Sequence, residues 1–235
     1  VITLLIATRN AHKLDEIRGI LGRGFFYRTF YDPTAAPVKE DATTFAGNAT
    51  KKAVELARRL HSLSDTERQA IAAPPCFVLA DDSGLEVDAL NGAPGVHSAR
   101  FAALDPGIAA NSTDTQNNEK LLRLLKDVPL EKRTARFRCV LALAPAIIPH
   151  QEVASPVCYA DEVEWQVELF DGACEGRILF APKGTAGFGY DPLFVPAGYD
   201  RTFAELGEEE KNRLSHRAEA LGKLKRRLQT IRESK

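Results

Sequence analysis

The chain has 235 residues, 44% of them apolar and 27% charged, with a formal net charge of −1. That length can bury a full core, and the composition excludes a disordered polymer. The near-zero balance excludes the broad basic surface of a general nucleic-acid binder. It still leaves room for the local cation cluster that a free nucleotide needs.

Four cysteines, Cys76, Cys139, Cys158 and Cys174, form no CxxC pair and no zinc-type spacing. Cys139 falls in an apolar strand pattern and reads as a buried thiol. No signal-like segment opens the chain, and no apolar run nears the ~20 residues of a membrane span. The expected setting is cytoplasmic and reduced, with no membrane partner.

Taken in chain order, Val1–Ala7 is a β-rich apolar run and reads as a buried strand. A helix follows with Leu14, Ile17 and Leu21 on one face, closed by Gly22 and Gly24. Phe25–Tyr31 reads as a strand and 32–37 as a turn region. Thr43 or Thr44 caps a second helix whose stripe is Ala53, Leu56, Ala57 and Leu60. Residues 61–75 read as a polar loop. Phe77–Ala80 is a short strand ending at Asp81-Asp82-Ser83-Gly84, and Asn91–Gly95 is turn-rich. A helix carries Leu121, Leu124, Leu125 and Val128. Ala135, Phe137, Cys139, Leu141 and Leu143 alternate with Arg136, Arg138 and others, the period of a strand with one buried face. Residues 145–162 read as an irregular excursion. Trp165, Val167 and Leu169 alternate as a further strand, Arg177–Phe180 forms another, and one long helix spans Glu208–Ile231. Early alternation of helices and strands, then consecutive strands, gives an α/β class with a mixed sheet. No linker splits the chain, so residues 1–235 are expected to form a single domain.

Five constellations could carry chemistry. Thr8-Arg9-Asn10-Ala11-His12-Lys13 lies at a strand-to-helix junction, where free N–H groups and the positive helix end suit a phosphate. The same residues fit an ordinary cap at Asn10. Asp81-Asp82-Ser83-Gly84 places two acids beside a buried strand, which is costly unless they are paired or hold a metal. Magnesium takes one or two carboxylates and completes its shell with waters and phosphate oxygens. Adjacent strand residues face opposite ways, so one aspartate enters the site. Glu40 could supply a second carboxylate, or cap the next helix. Gly187-Phe188-Gly189-Tyr190-Asp191 suits a loop that presents an aromatic ring to a base, and equally a plain turn. Lys211, Ser215, His216 and Arg217 lie near one helical face and fit phosphate and base contacts, or a solvated face. Neither the P-loop pattern nor GxGxxG occurs.

In order, Ala7–Lys13, Thr44–Ala49, Ala80–Asp88, Gly92–Phe101, Gly187–Pro192, Glu210–Asn212 and Ser215–Arg217 resemble the motif set of the inosine triphosphate pyrophosphatase family. The resemblance implies an elongated mixed sheet flanked by helices, with two lobes and an active-site cleft between them. It implies a homodimer with a magnesium ion in each cleft, cleaving ITP, dITP, XTP or dXTP to the monophosphate and pyrophosphate. By position, Thr8, Arg9, Asn10, Ala11, His12 and Lys13 bind the triphosphate. Glu40 and Asp82 serve the metal, with Asp82 as proton acceptor. Ser83 contacts substrate, and Phe188, Gly189, Tyr190 and Asp191 form the base pocket, with Phe188 or Tyr190 stacking. Lys211, His216 and Arg217 complete the contacts. Arg9 departs from the family's frequent glycine, and residues 61–76 and 146–163 are longer than usual. Rival readings are a non-catalytic nucleotide sensor, a pyrophosphatase for modified pyrimidine nucleotides, and a nucleic-acid module using Arg136, Arg138 and the basic run 223–227.

Overall fold

Strand β1 (Ile2–Ala7) is buried on both faces, with Leu4 and Leu5 each 0% exposed. A strand covered on both sides needs apolar residues at consecutive positions, and it belongs inside a sheet. The computed structural model describes residues 1–8, 10–29, 38–71, 75–105, 112–146 and 166–233. β1 pairs in parallel with β2 (Phe25–Arg28) on one side and with β3 (Cys76–Val87) on the other. From β3 onward the ladder is antiparallel, through β4 (Thr134–Pro145), β5 (Glu168–Ile178) and β6 (Phe194–Pro196). The described residues thus form a mixed six-stranded sheet in the order β2-β1-β3-β4-β5-β6. The expected α/β class holds.

β3 and β4 have 12 residues each, roughly 40 Å at the usual rise per residue. Two packed regions fit along that length. Over the first half of β3, helices cover both faces of the sheet. On one face, Ala49, Ala53 and Leu56 of α2 (Phe45–His61) pack on Val78, Ala80 and Ala142. On the other, α1 (Ala11–Leu21) and α7 (His216–Glu233) bring Ile17, Leu21, Leu221 and Leu224 onto Leu79 and Leu141. A third cluster lies along the second half. It joins Leu85, Val87, Phe137 and Ile178 to Leu121 of α4 (Asp114–Leu124) and Phe203 of α5 (Phe203–Leu206). Residues 81–84 sit at the midpoint of β3, where these clusters meet. This is the elongated, helix-flanked mixed sheet that the motif set implied.

Gly172 of β5 permits the closest approach between layers. A Cβ there would lie 2.1 Å from the His216 carbonyl oxygen and 2.7 Å from Ala220 N. Its absence lets the first turn of α7 sit directly on the sheet.

Several expectations change. The strand before the two acids does not end at Ala80. β3 continues through both of them to Val87, because β4 offers an unbroken antiparallel partner from Ala135 to Pro145. Part of the expected loop 61–75 is helix α3 (Asp65–Ile71). Ser64 organises that start, its Oγ donating to Glu67 Oε2 at 2.6 Å. Phe25–Tyr31 shortens to β2, with 30–37 outside the described residues. Arg177–Phe180 is not a separate strand, since Arg177 and Ile178 end β5. The alternation around Leu169 does not bury it: Leu169 is 48% exposed, and Trp165 lies outside the described residues. So do Cys158 and most of the 146–163 stretch. The long C-terminal helix is two, α6 (Glu208–Leu214) and α7. Ser215 takes extended dihedrals (φ −73°, ψ 161°), and its Oγ accepts the Ala218 N–H at 3.2 Å. That is an N-cap, and it puts His216 and Arg217 in the first turn of α7.

Candidate active site

A cavity of about 780 Å³ opens at the midpoint of β3, within the range of small-molecule sites. Its walls include the start of α1, the acids of β3, one side of α2, the 96–100 turn, the start of α4, the 188–191 loop and the α6–α7 junction.

Asn10 caps α1 with its side chain, accepting the Lys13 N–H at 3.2 Å, and Thr8 Oγ1 accepts the Asn10 N–H at 3.1 Å. Thr8, Asn10, Ala11 and Lys13 line the cavity. The cap and the cradle are therefore the same structure, since a well-capped helix start still presents N–H groups of its first turn. Arg9 lies outside the described residues. His12 is exposed, and its ring stacks on Phe188 with centroids 5.2 Å apart and planes 13° apart.

The two acids part company as strand pleating requires. Asp81 turns to the α1–α7 face and is 3% exposed. It pairs with Lys13, accepts from Arg217 Nε at 2.8 Å and Ser83 Oγ at 2.6 Å, and receives the Cys139 thiol at 3.4 Å. Burial pushes its carboxyl upward, but Arg217 and Lys13 outweigh that and hold it well below the usual carboxylate range. Asp82 turns to the α2 face. It meets Lys52 Nζ at 2.8 Å and Asn48 Nδ2 at 3.3 Å. Here burial prevails over the Lys52 attraction, and the Asp82 carboxyl rises above its ordinary value. Glu40 joins this group, with Oε2 3.6 Å from Lys52 Nζ.

Glu16 of α1 organises the far wall. It pairs with Arg217 and lies 2.8 Å from Lys211 Nζ. Lys211 also contacts Asp191 Oδ2 at 2.5 Å. Arg217 is 1% exposed and donates to Asp81, Glu16 and Ser83 Oγ, the last at 3.0 Å. Lys211 and Arg217 are thus the rivets of a buried network rather than free surface cations, because each is enclosed between carboxylates from other elements.

The loop at 187–191 is pinned from inside. Asp191 Oδ2 accepts the Phe188 N–H at 2.9 Å. Gly187 has φ +77°, and a Cβ there would lie 2.2 Å from that same oxygen. α4 grips the next residue from both sides: Asp114 Oδ2 accepts the Gly189 N–H at 2.6 Å, and Asn118 Nδ2 donates to the Gly189 carbonyl at 3.0 Å. Phe188 is half-buried and lines the cavity, with Lys211 Nζ 4.3 Å from its ring centre. Tyr190 is 4% exposed, and its hydroxyl is committed to the Ser98 carbonyl at 2.9 Å. His216 stacks on Phe137 at 4.9 Å. Burial, with Arg217 and Lys211 close by, holds its imidazole well below the ordinary histidine value, so the ring is neutral. Its buried Nδ1 has no hydrogen-bond partner among the described residues.

The structure gathers every described site residue named from sequence into this one region. The residue-by-residue reading missed Lys52, Asn48, Glu16, Asp114 and Asn118. The first two left a signal. Phe45, Asn48, Ala49, Lys52, Ala53 and Leu56 follow helical spacing, so Asn48 and Lys52 lie on the core stripe of α2, where a polar residue demands a partner.

Fold and site together define an α/β protein with a deep, charge-balanced small-molecule cleft across the middle of a mixed sheet. A family model described as the Ham1 family matches residues 4–227, and the chain belongs to that family. It is 42% identical over 222 residues to the dITP/XTP pyrophosphatase of Halalkalibacterium halodurans, covering 94% of this chain and 95% of that one. The dITP/XTP pyrophosphatase of Desulforamulus reducens is 44% identical, over 94% of this chain and 92% of its own. Among solved structures, the Staphylococcus aureus Ham1 protein superposes with a TM-score of 0.73 at 31% identity, covering 97% of this chain and 99% of its own.

Proposed function

We propose that this chain is a metal-assisted pyrophosphatase that hydrolyses ITP, dITP, XTP and dXTP to the nucleoside monophosphate and pyrophosphate. It thereby keeps those nucleotides out of DNA and RNA. The observation that carries this reading is the divergence of Asp81 and Asp82. Asp81 is closed off by Lys13 and Arg217, and Asp82 faces Lys52 and Glu40 on the cleft wall, its carboxyl raised by burial. A binding module has no use for that difference. Relatives named as dITP/XTP pyrophosphatases, matched over nearly the whole chain, support the substrate class.

The start of α1, with Lys13 behind it, receives the triphosphate. Phe188, which lines the cleft with His12 stacked on its ring, is placed to meet the base, because Tyr190 is buried and hydrogen-bonded. Asp82 takes a proton from water as its oxygen attacks the α-phosphorus in line. The bond from that phosphorus to the bridging oxygen breaks, and pyrophosphate leaves with the electron pair. Neutral His216, which lines the cleft, is the group placed to read the base edge. A donor fixed there suits a six-carbonyl purine and leaves a buried mismatch with adenine. Arg217 is too fully committed to share that task.

The donor set fits magnesium. Cations Lys13, Lys52, Arg59, Arg100, Lys211 and Arg217 line the cleft against Glu40, Asp81, Asp82, Asp114 and Asp191. That near balance leaves the charge of a triphosphate largely uncompensated. Glu40 and Asp82, one carboxylate from each of two segments, would hold the ion, with waters and phosphate oxygens completing its shell. This is the open pattern magnesium uses with phosphates. When bound, it would polarise phosphoryl oxygens and neutralise the leaving group.

The proposed state is one domain over residues 1–235, paired as a homodimer in the cytoplasm. The dimer rests on the motif resemblance. Cys76, Cys139 and Cys174 are free and buried, which suits a reducing compartment. Among the described residues no helix is long and apolar enough to cross a membrane. Of the cations in the nucleic-acid reading, Arg136 pairs with Asp88 and Glu175, Lys223 with Asp171 and Glu219, and Arg227 with Glu168.

Hydrolysis of ITP in ¹⁸O-labelled water tests the reaction. Label in IMP supports attack at the α-phosphorus. Label in orthophosphate, with IDP as the other product, overturns it.

A further inference from the structure

Glu40 and Asp82 come from different segments, and one ammonium lies against both. Lys52 Nζ is 2.8 Å from Asp82 Oδ1 and 3.6 Å from Glu40 Oε2, and it donates to the Asp81 carbonyl oxygen at 2.7 Å. The Lys52 side chain is 13% exposed. A cation that deep is retained only where acids compensate its lost hydration.

The surroundings fix this arrangement. Asn48 stands one helical turn before Lys52 and is 0% exposed. Its Nδ2 donates to Asp82 Oδ2, and its Oδ1 accepts the Ala42 N–H at 3.0 Å. Arg100 donates to the Glu40 carbonyl at 2.9 Å. One turn of α2 therefore sets the Asp82 carboxylate, the loop bearing Glu40 and the charge between them. Asp81 cannot join a metal site on this face, because it is turned away and closed by Lys13 and Arg217.

We propose that Lys52 is a resident counter-ion between Glu40 and Asp82 that keeps the divalent-cation affinity of the free protein low, so that the metal enters together with the triphosphate. This rests on the metal-assisted reading above. A cation seated on Asp82 or Glu40 in the free cleft meets the Lys52 charge at close range, and like charges so placed repel strongly away from bulk water. The triphosphate brings both the negative charge and the oxygen ligands that the two acids lack. Lys52 is a positioning residue in this account, and its signature is metal affinity without substrate.

Calorimetric titration of MgCl₂ into the nucleotide-free protein tests it, with wild type, Lys52→Met, Lys52→Arg and the double variant Lys52→Met/Asp82→Asn. Wild type and Lys52→Arg should fail to saturate at low millimolar Mg²⁺. Lys52→Met should bind about tenfold more tightly or better, and the double variant should lose that gain. Micromolar binding by free wild type overturns the proposal, and that result stands even if Lys52→Met does not fold. A folded Lys52→Met that binds no more tightly also overturns it. Either result can coexist with normal ITP hydrolysis, whereas absence of hydrolysis would sink the underlying reading instead.

Discussion

Arg217 Nε lies 2.8 Å from Asp81 Oδ2, joining two buried residues 136 positions apart. The same guanidinium reaches Glu16, so α1, β3 and α7 share one charge. Arg217→Ala would leave two buried carboxylates with one cation each, Asp81 with Lys13 and Glu16 with Lys211, and removing one partner of such a set costs ~3–5 kcal/mol. Urea unfolding measures it. Arg217→Lys should recover part of the loss, because an ammonium restores charge without the planar fork. A loss below about 1 kcal/mol in Arg217→Ala would contradict the role given to this pair.

Asp82→Asn should lower kcat by ~10²–10⁴-fold, the usual worth of a positioned proton acceptor. Nucleotide binding should survive, since the α1 start and Phe188 are untouched. Equilibrium binding of ITP beside steady-state turnover separates the two effects. Unchanged turnover would remove Asp82 from the role of proton acceptor, whereas lost turnover with retained ITP binding would exclude the nucleotide-sensor reading.

Phe188 and Tyr190 should respond differently although one residue separates them. Phe188→Ala removes a ring at the cavity wall and should raise KM for ITP by about tenfold or more, as base stacking is worth ~1–3 kcal/mol, with little change in melting temperature. Tyr190→Phe orphans the Ser98 carbonyl and should cost ~1–3 kcal/mol of stability while leaving KM nearly fixed. Kinetics and thermal melts on both proteins check this crossing pattern. A rise in KM confined to Tyr190→Phe would reverse the assignment.

His216 gives a pH signature. Its folded value is depressed, so between about pH 6.5 and that value the unfolded chain holds a proton that the folded chain lacks. Stability therefore falls as pH drops below 6.5, by up to ~1.4 kcal/mol per pH unit. Asp82 and Asp191 are raised and act with the opposite sign, so the informative quantity is the difference from a variant. His216→Gln should show a flatter curve than wild type from pH 7.5 to 5.5 in urea unfolding. Parallel curves would contradict a buried neutral imidazole.

Much of this was legible in the sequence. The period of two from Ala135 to Leu143 became β4, and Thr44 does cap α2, its side chain accepting the Gly47 N–H at 3.1 Å. The opposite facing of Asp81 and Asp82 followed from strand pleating alone. Other features depended on partners that no local pattern reveals. β3 runs on past its apolar start because β4 pairs with it beyond the acids. The helix after Glu208 breaks because Ser215 prefers capping to helical dihedrals, while the apolar spacing on either side continues through the break. Asn48 and Lys52 were visible as polar intrusions on an apolar stripe. Glu16 was not, because its meaning depends on Lys211 and Arg217 arriving from the far end of the chain.

The most direct test of the central claim is pyrophosphate release from ITP, XTP, GTP, ATP and dUTP with Mg²⁺, each repeated with EDTA. The account requires fast, EDTA-sensitive release from ITP and XTP, with ATP nearly inert. Absence of release from every purine triphosphate would contradict it.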